Sequence, residues 1–106
     1  MNTSELMIGD WVKFKNSDLA HKVIAIAGKS IKVDKVHWYS ANKFRPIPLI
    51  PEIFEKNGFT YNSEPFSLYW EYRGKDLHIH NCVNIKYVHE FQHGLRLLGI
   101  EKEIVL

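Results

Sequence analysis

Gly9-Asp10-Trp11-Val12-Lys13-Phe14-Lys15 decides how the first half of the chain is read. In an extended chain Val12 and Phe14 share one face while Trp11, Lys13 and Lys15 share the other, the period-two pattern of a strand buried on one side. Downstream, His21-Lys22-Val23-Ile24-Ala25-Ile26 is β-branched and apolar, Gly28-Lys29 supplies a turn, and Ile31-Lys32-Val33-Asp34 alternates again. The two runs read as a hairpin. Short twisted strands bury their faces by curling on themselves, so this stretch predicts a small bent sheet of the SH3-like barrel kind. Val36-His37-Trp38-Tyr39 and Phe44-Arg45-Pro46-Ile47 are candidates for further edge strands.

Pro46-Ile47-Pro48-Leu49-Ile50-Pro51 fixes φ at three positions and removes three amide donors, so no central strand runs through it. It divides the chain. Pro51 suits the first turn of a helix, Glu52 and Glu55 suit its positive end, and Asn57-Gly58 stops it, which predicts a short helix over Pro51 to Lys56. Phe66 to Tyr72 and Leu77 to His80 flank Arg73-Gly74-Lys75-Asp76 and read as a second hairpin. Ile85, Val88, Phe91, Leu95 and Leu98 recur at three and four, the apolar stripe of a helix that Gly99 ends, and Glu103-Ile104-Val105-Leu106 reads as a final strand. The expected architecture is α+β in one domain over residues 1–106. An SH3-like β-rich front half covers 1–45, and a helix, hairpin and C-terminal helix laid on the sheet cover 46–106.

At 106 residues the chain is of a size for one core. Apolar residues at 45% and charged residues at 25% are those of a globular protein rather than a disordered or membrane chain. No apolar run is long enough to span a bilayer, and Met1-Asn2-Thr3-Ser4-Glu5 lacks the basic and apolar start of a signal peptide, so a cytoplasmic setting with no membrane partner is expected. The lone Cys82 forms no internal disulfide and reads as a small buried hydrophobe. The net charge of +2 is uneven: residues 1–50 carry seven Lys and one Arg against four acids (+4), and residues 51–106 carry six bases against eight acids (−2). A basic front half suits a phosphate-bearing partner.

His89-Glu90-Phe91-Gln92-His93 matches the zinc-peptidase pattern, in which two imidazoles on one helix face bind the metal and the Glu activates its water. Against that chemistry, the helical wheel puts His89 and His93 opposite the apolar stripe, on a face expected to be solvated. Lys86 and Arg96 bracket the pair with positive charge, and after His93 only Glu101 and Glu103 are able to ligate zinc. A second arrangement borrows His78, His80 and Cys82 from one strand face. Phosphate-binding Gly-rich loops, a serine nucleophile elbow and Cys-x-x-Cys are absent from the sequence. Aromatics do interleave with bases at Trp11 to Lys15 and around Lys35, His37, Trp38 and Tyr39, as on a single-strand nucleic-acid platform.

Three stretches, Glu5 to Val12, Pro46 to Phe59 and Ile85 to His93, together resemble a group of short uncharacterised proteins of Bacteroides-type gut bacteria and their prophages or mobile elements. In that group an Asn commonly stands at the position of His93, so the resemblance implies no zinc site and brings no catalytic residues. The sequence thus favours a non-enzymatic binding or accessory module, without cofactor, that contacts nucleic acid or a protein partner. Lys13, Lys15, Lys32 and Lys35 are its candidate nucleic-acid-binding residues. The alternative is a zinc-dependent metallohydrolase using His89, Glu90 and His93.

Overall fold

A computed structural model describes residues 1–64, 67–72, 75–78, 86–97 and 99–106, with the backbone alone described over 60–64, 67–72 and 75–78. The class is α+β. Strands β1 (Trp11–Phe14), β2 (Ala20–Lys22), β3 (Ala25–Ala27), β4 (Ser30–Lys32), β5 (Tyr39–Ser40) and β6 (Phe44–Arg45) come first. Helix α1 (Pro51–Lys56), strands β7 (Thr60–Glu64), β8 (Ser67–Tyr72) and β9 (Lys75–His78), and helix α2 (Val88–Leu97) follow. The front strands pair antiparallel as two three-stranded sheets, in the orders β2-β1-β6 and β3-β4-β5. Among the described residues no ladder joins the two into a closed barrel.

The run His21 to Ile26 is split rather than continuous. Val23 exchanges backbone bonds with the segment before β1, its amide donating to Asp10 O (2.9 Å) and its carbonyl accepting from Gly9 N (2.7 Å), whereas the Ile24 amide donates to Lys32 O (2.8 Å). The chain therefore leaves one sheet and enters the other at the fully buried Val23. Val36 to Trp38 form a loop rather than an edge strand, and only Tyr39–Ser40 pairs, with β4. A 3-10 turn, Ala41–Lys43, leads directly into β6.

The second half keeps α1 where the prolines and Asn57-Gly58 place it. Both helices close with the same device: Phe59 N donates to Phe54 O and Gly58 N to Glu55 O, and likewise Ile100 N to Leu95 O and Gly99 N to Arg96 O. This is the Schellman pattern, in which a glycine at positive φ lets the chain reverse; Gly58 has φ 82° and Gly99 φ 71°. The hairpin pairs Tyr72 with Lys75 and Glu71 with Asp76, so β9 starts at Lys75 rather than Leu77, and β7 adds a third strand the sequence reading did not assign. Residues 103–106 form no strand; the tail is pinned instead by Asn57, whose side chain accepts from Val105 N (2.6 Å) and donates to Val105 O (2.8 Å).

Apolar side chains gather in two clusters rather than one. Leu6, Val12, Val23, Ile31, Ala41 and Phe44 fill the front half, and Ile47, Phe54, Phe59, Val88, Phe91, Leu95, Ile100 and Ile104 fill the second. Strand β1 stands between them: Val12 points into the first cluster, and Trp11, from the opposite face, packs on the second and donates its indole N–H to Ile104 O at 2.6 Å. Trp11 is thus half-buried on the face that alternation marked as outward. Val88, Phe91 and Leu95 form the buried stripe of α2, while Ile85 and Leu98 lie outside the described residues, as do His80 and Cys82.

Candidate functional site

The zinc-like motif lies on α2, yet its polar face is covered by the front half rather than solvated. The loop Met7 to Asp10 is closed by its own hydrogen bonds, Asp10 N to Met7 O (3.1 Å) and Met7 N to Asp10 Oδ2 (2.7 Å), with Gly9 at φ 96°. Against it α2 presents Gln92, His93 and Arg96. Gln92 Nε2 donates to Gly9 O (2.9 Å) and its Oε1 accepts from Trp11 N (3.0 Å); His93 Nε2 meets Asp10 Oδ2 at 2.6 Å; Arg96 donates to Ile8 O (3.1 Å). Asp10 is 0% exposed, and Arg96 lies 3.5 Å from its second oxygen, so two basic side chains converge on one buried carboxylate. The cation that seemed to repel a metal is the carboxylate's partner.

The other two members of the motif have equally local roles. Glu90 Oε1 accepts from the amides of Lys86 (3.0 Å) and Tyr87 (3.1 Å), reaching back as the third helical residue of a capping box does, and so caps α2. His89 is 3% exposed, stacked on Tyr87 and edge-on to His93, and its Nδ1 has no hydrogen-bond partner among the described residues. Burial without that partner pushes its imidazole below the usual histidine range, against the opposing charge of Asp10. The expectation that His89 faces solvent is therefore corrected: a polar helix face reads as surface only when nothing is docked on it. Among the described residues no three His, Cys, Asp or Glu side chains converge as a metal centre. His78, the one member of the second arrangement that is described, is so in its backbone alone.

The basic front half holds a different kind of site. Phe14 stacks on Phe44 (4.3 Å between centroids) and meets Tyr39 edge-on (5.1 Å), because β1 pairs Phe14 with Phe44 and Tyr39 packs on the same core. A cavity of about 480 Å³ opens beside these rings, lined by Phe14, Lys15, Asn16, Tyr39, Asn42 and Lys43. Two cations and two carboxamides rim it, with no acid. The Lys15 amide donates to Lys43 O (2.9 Å), which fixes the two lysine backbones side by side. No family model, curated protein or solved structure matches the chain.

The four lysines singled out from the sequence separate into distinct surroundings. Lys15 is exposed at the cavity, and Lys13 is half-buried on β1 opposite Arg45, whose own charge turns to Asp18 (3.0 Å). Lys32 places its ammonium 5.1 Å from the Trp38 ring centroid, and Lys35 is exposed in the loop that follows. Lys43, Asn16 and Asn42 were not legible as site residues, because Lys43 meets Lys15 only through the pairing of strands far apart in sequence. A larger cavity, about 630 Å³, lies between Gly9, Lys22 and the tail, but its cations and its acids Glu101 and Glu103 are mixed, and Lys22 is paired with Glu103.

Proposed function

We propose that the chain is a non-enzymatic nucleic-acid-binding module whose front half, arranged in SH3-like fashion, supplies the contact surface. The carrying observation is the aromatic cavity beside Phe14 and Tyr39, rimmed by Lys15 and Lys43 and lacking any acidic side chain. Aromatic side chains with flanking ammonium groups suit the bases and phosphates of a nucleic acid. Lys13, Lys32 and Lys35 add to the positive charge of the front half, though they do not line the cavity. The SH3-like arrangement is supported by the strand order of the two sheets, their common core and the 3-10 turn that precedes β6. The resemblance of three sequence stretches to proteins of prophages and mobile elements supports an accessory role in such a setting.

The test is fluorescence anisotropy with labelled single- and double-stranded oligonucleotides at low salt. Lys15→Ala and Lys43→Ala should each weaken binding and flatten the logarithmic salt dependence, by about 0.7 per lost phosphate contact on a single strand. Lys56→Ala, an exposed lysine on α1, should change neither. No binding by the unaltered protein at about 100 µM, the weak end of non-specific affinity, would sink the reading and leave an acidic protein partner as the occupant.

A further inference from the structure

Resting on that nucleic-acid reading, we infer that the module selects single strands, with Trp38 as the platform on which an unpaired base stacks. Trp38 is 48% exposed, and no other aromatic is among the exposed large apolar side chains of the described residues. An indole of this size is ordinarily buried or hydrogen-bonded into a core, as Trp11 is here. Trp38 instead sits over the Lys32 ammonium on a loop with Val36, 72% exposed, and the exposed Lys35 and His37.

The loop is held in shape before any partner arrives. Asp34 Oδ1 accepts from the amides of Val36 and His37, both at 2.9 Å, and Oδ2 lies 3.5 Å from the Tyr39 hydroxyl. These donors, the His37 amide foremost, hold the Asp34 carboxyl below the usual carboxylate range. The single acid of the loop is exposed, but its Oδ1 is engaged by the loop's own amides, and it is outnumbered by Lys32, whose ammonium lies on the Trp38 ring, and by the exposed Lys35. A ligand for that surface must be anionic and must present an open π-face. A duplex is anionic, but its base faces are stacked inside; only an unpaired strand offers both at once. The ordered loop also lowers the entropy lost on stacking.

Binding of a short oligothymidylate and of a duplex of equal length to the intact protein tests the inference, with Trp38→Ala and Trp38→Phe alongside. The single strand should bind about tenfold or more tightly than the duplex. Trp38→Ala should weaken single-strand binding by about five- to hundredfold, with duplex affinity and the salt slope unchanged, since stacking releases no counterions. Trp38→Phe should restore most of the affinity, and the quenching of tryptophan emission that stacking causes in the unaltered protein should shrink in that variant. Wild-type affinity for oligothymidylate in Trp38→Ala overturns the inference, as does equal loss of both ligands without rescue by Phe. Equal binding of strand and duplex by the unaltered protein overturns single-strand selection while the nucleic-acid reading stands; binding of neither overturns that reading itself.

Discussion

Replacing Asp10 is the most direct probe of how the two halves are held together. Its carboxylate is 0% exposed: Oδ2 accepts from the Met7 amide at 2.7 Å and meets His93 Nε2 at 2.6 Å, while the Arg96 guanidinium lies 3.5 Å from Oδ1 as an ion pair without a hydrogen bond. In Asp10→Ala the Met7 amide loses an acceptor of the charged kind, about 1.5–3 kcal/mol. Breaking a fully buried pair costs about 3–5 kcal/mol, but the His93 side chain is 26% exposed and that of Arg96 38%, so water recovers part of their loss. A total of about 3–4 kcal/mol is expected, a large share of the roughly 5–15 kcal/mol that stabilises a domain. Urea melts followed by tryptophan emission, with Trp11 beside the docking surface, give the number. At about 4 °C or more per kcal/mol, the melting temperature should fall by about 12 °C or more. A double-mutant cycle with Asp10→Asn and His93→Gln isolates the pair and should return a coupling above about 0.5 kcal/mol. A loss below about 1 kcal/mol for Asp10→Ala, or a coupling indistinguishable from zero, would refute the argument that α2 is docked through this carboxylate.

Phe91 touches Phe54 at 4.8 Å and Phe59 at 5.3 Å in the second cluster, so Phe91→Ala should cost about 3–5 kcal/mol in the same melts; less than 1 would mean a different face of α2 is buried. Because the folded His89 titrates below the ordinary imidazole value, the unfolded chain takes up its proton first on acidification. Stability from this group is therefore complete above about pH 6.5 and falls as pH drops from there toward the lowered folded value, a slope that His89→Gln should flatten in melts across that window. Gly99→Ala meets no atom within 4 Å yet must hold φ 71°, so its cost should be backbone strain alone, about 1–2 kcal/mol, with Gly99→Asn milder; a neutral alanine would show that the helix end re-forms differently. With His93 on Asp10 and Glu90 on the helix amides, adding zinc should not raise the melting temperature, and a rise abolished by His93→Ala would restore the metallohydrolase alternative.

Local chemistry made several elements legible in advance. Pro51 and Asn57-Gly58 bound α1 because a fixed φ, missing amides and a glycine able to take positive φ act within a few residues. Val12, Ile31, Phe91 and Leu95 are buried where period two or period 3.6 placed them, since each period follows from backbone geometry. Alternation also marked Trp11 as outward and the helical wheel marked His89 as solvated. Both statements are true of an isolated element and fail once a second layer covers the other face.

The sequence by itself determined the α+β class, the division at the proline run, α1, the apolar stripe of α2 and the basic excess of the front half. Tertiary structure alone decided that Asp10 receives His93 and Arg96, that Gln92 serves Gly9 and Trp11, and that Lys43 joins Lys15 at the aromatic cavity. These partners are 28 to more than 80 positions apart, and no repeat or spacing encodes them. A carboxylate, a carboxamide or an ammonium looks the same in sequence whether it ends in water or against a distant backbone; which of these happens is settled by the packing of apolar faces that brings the elements together.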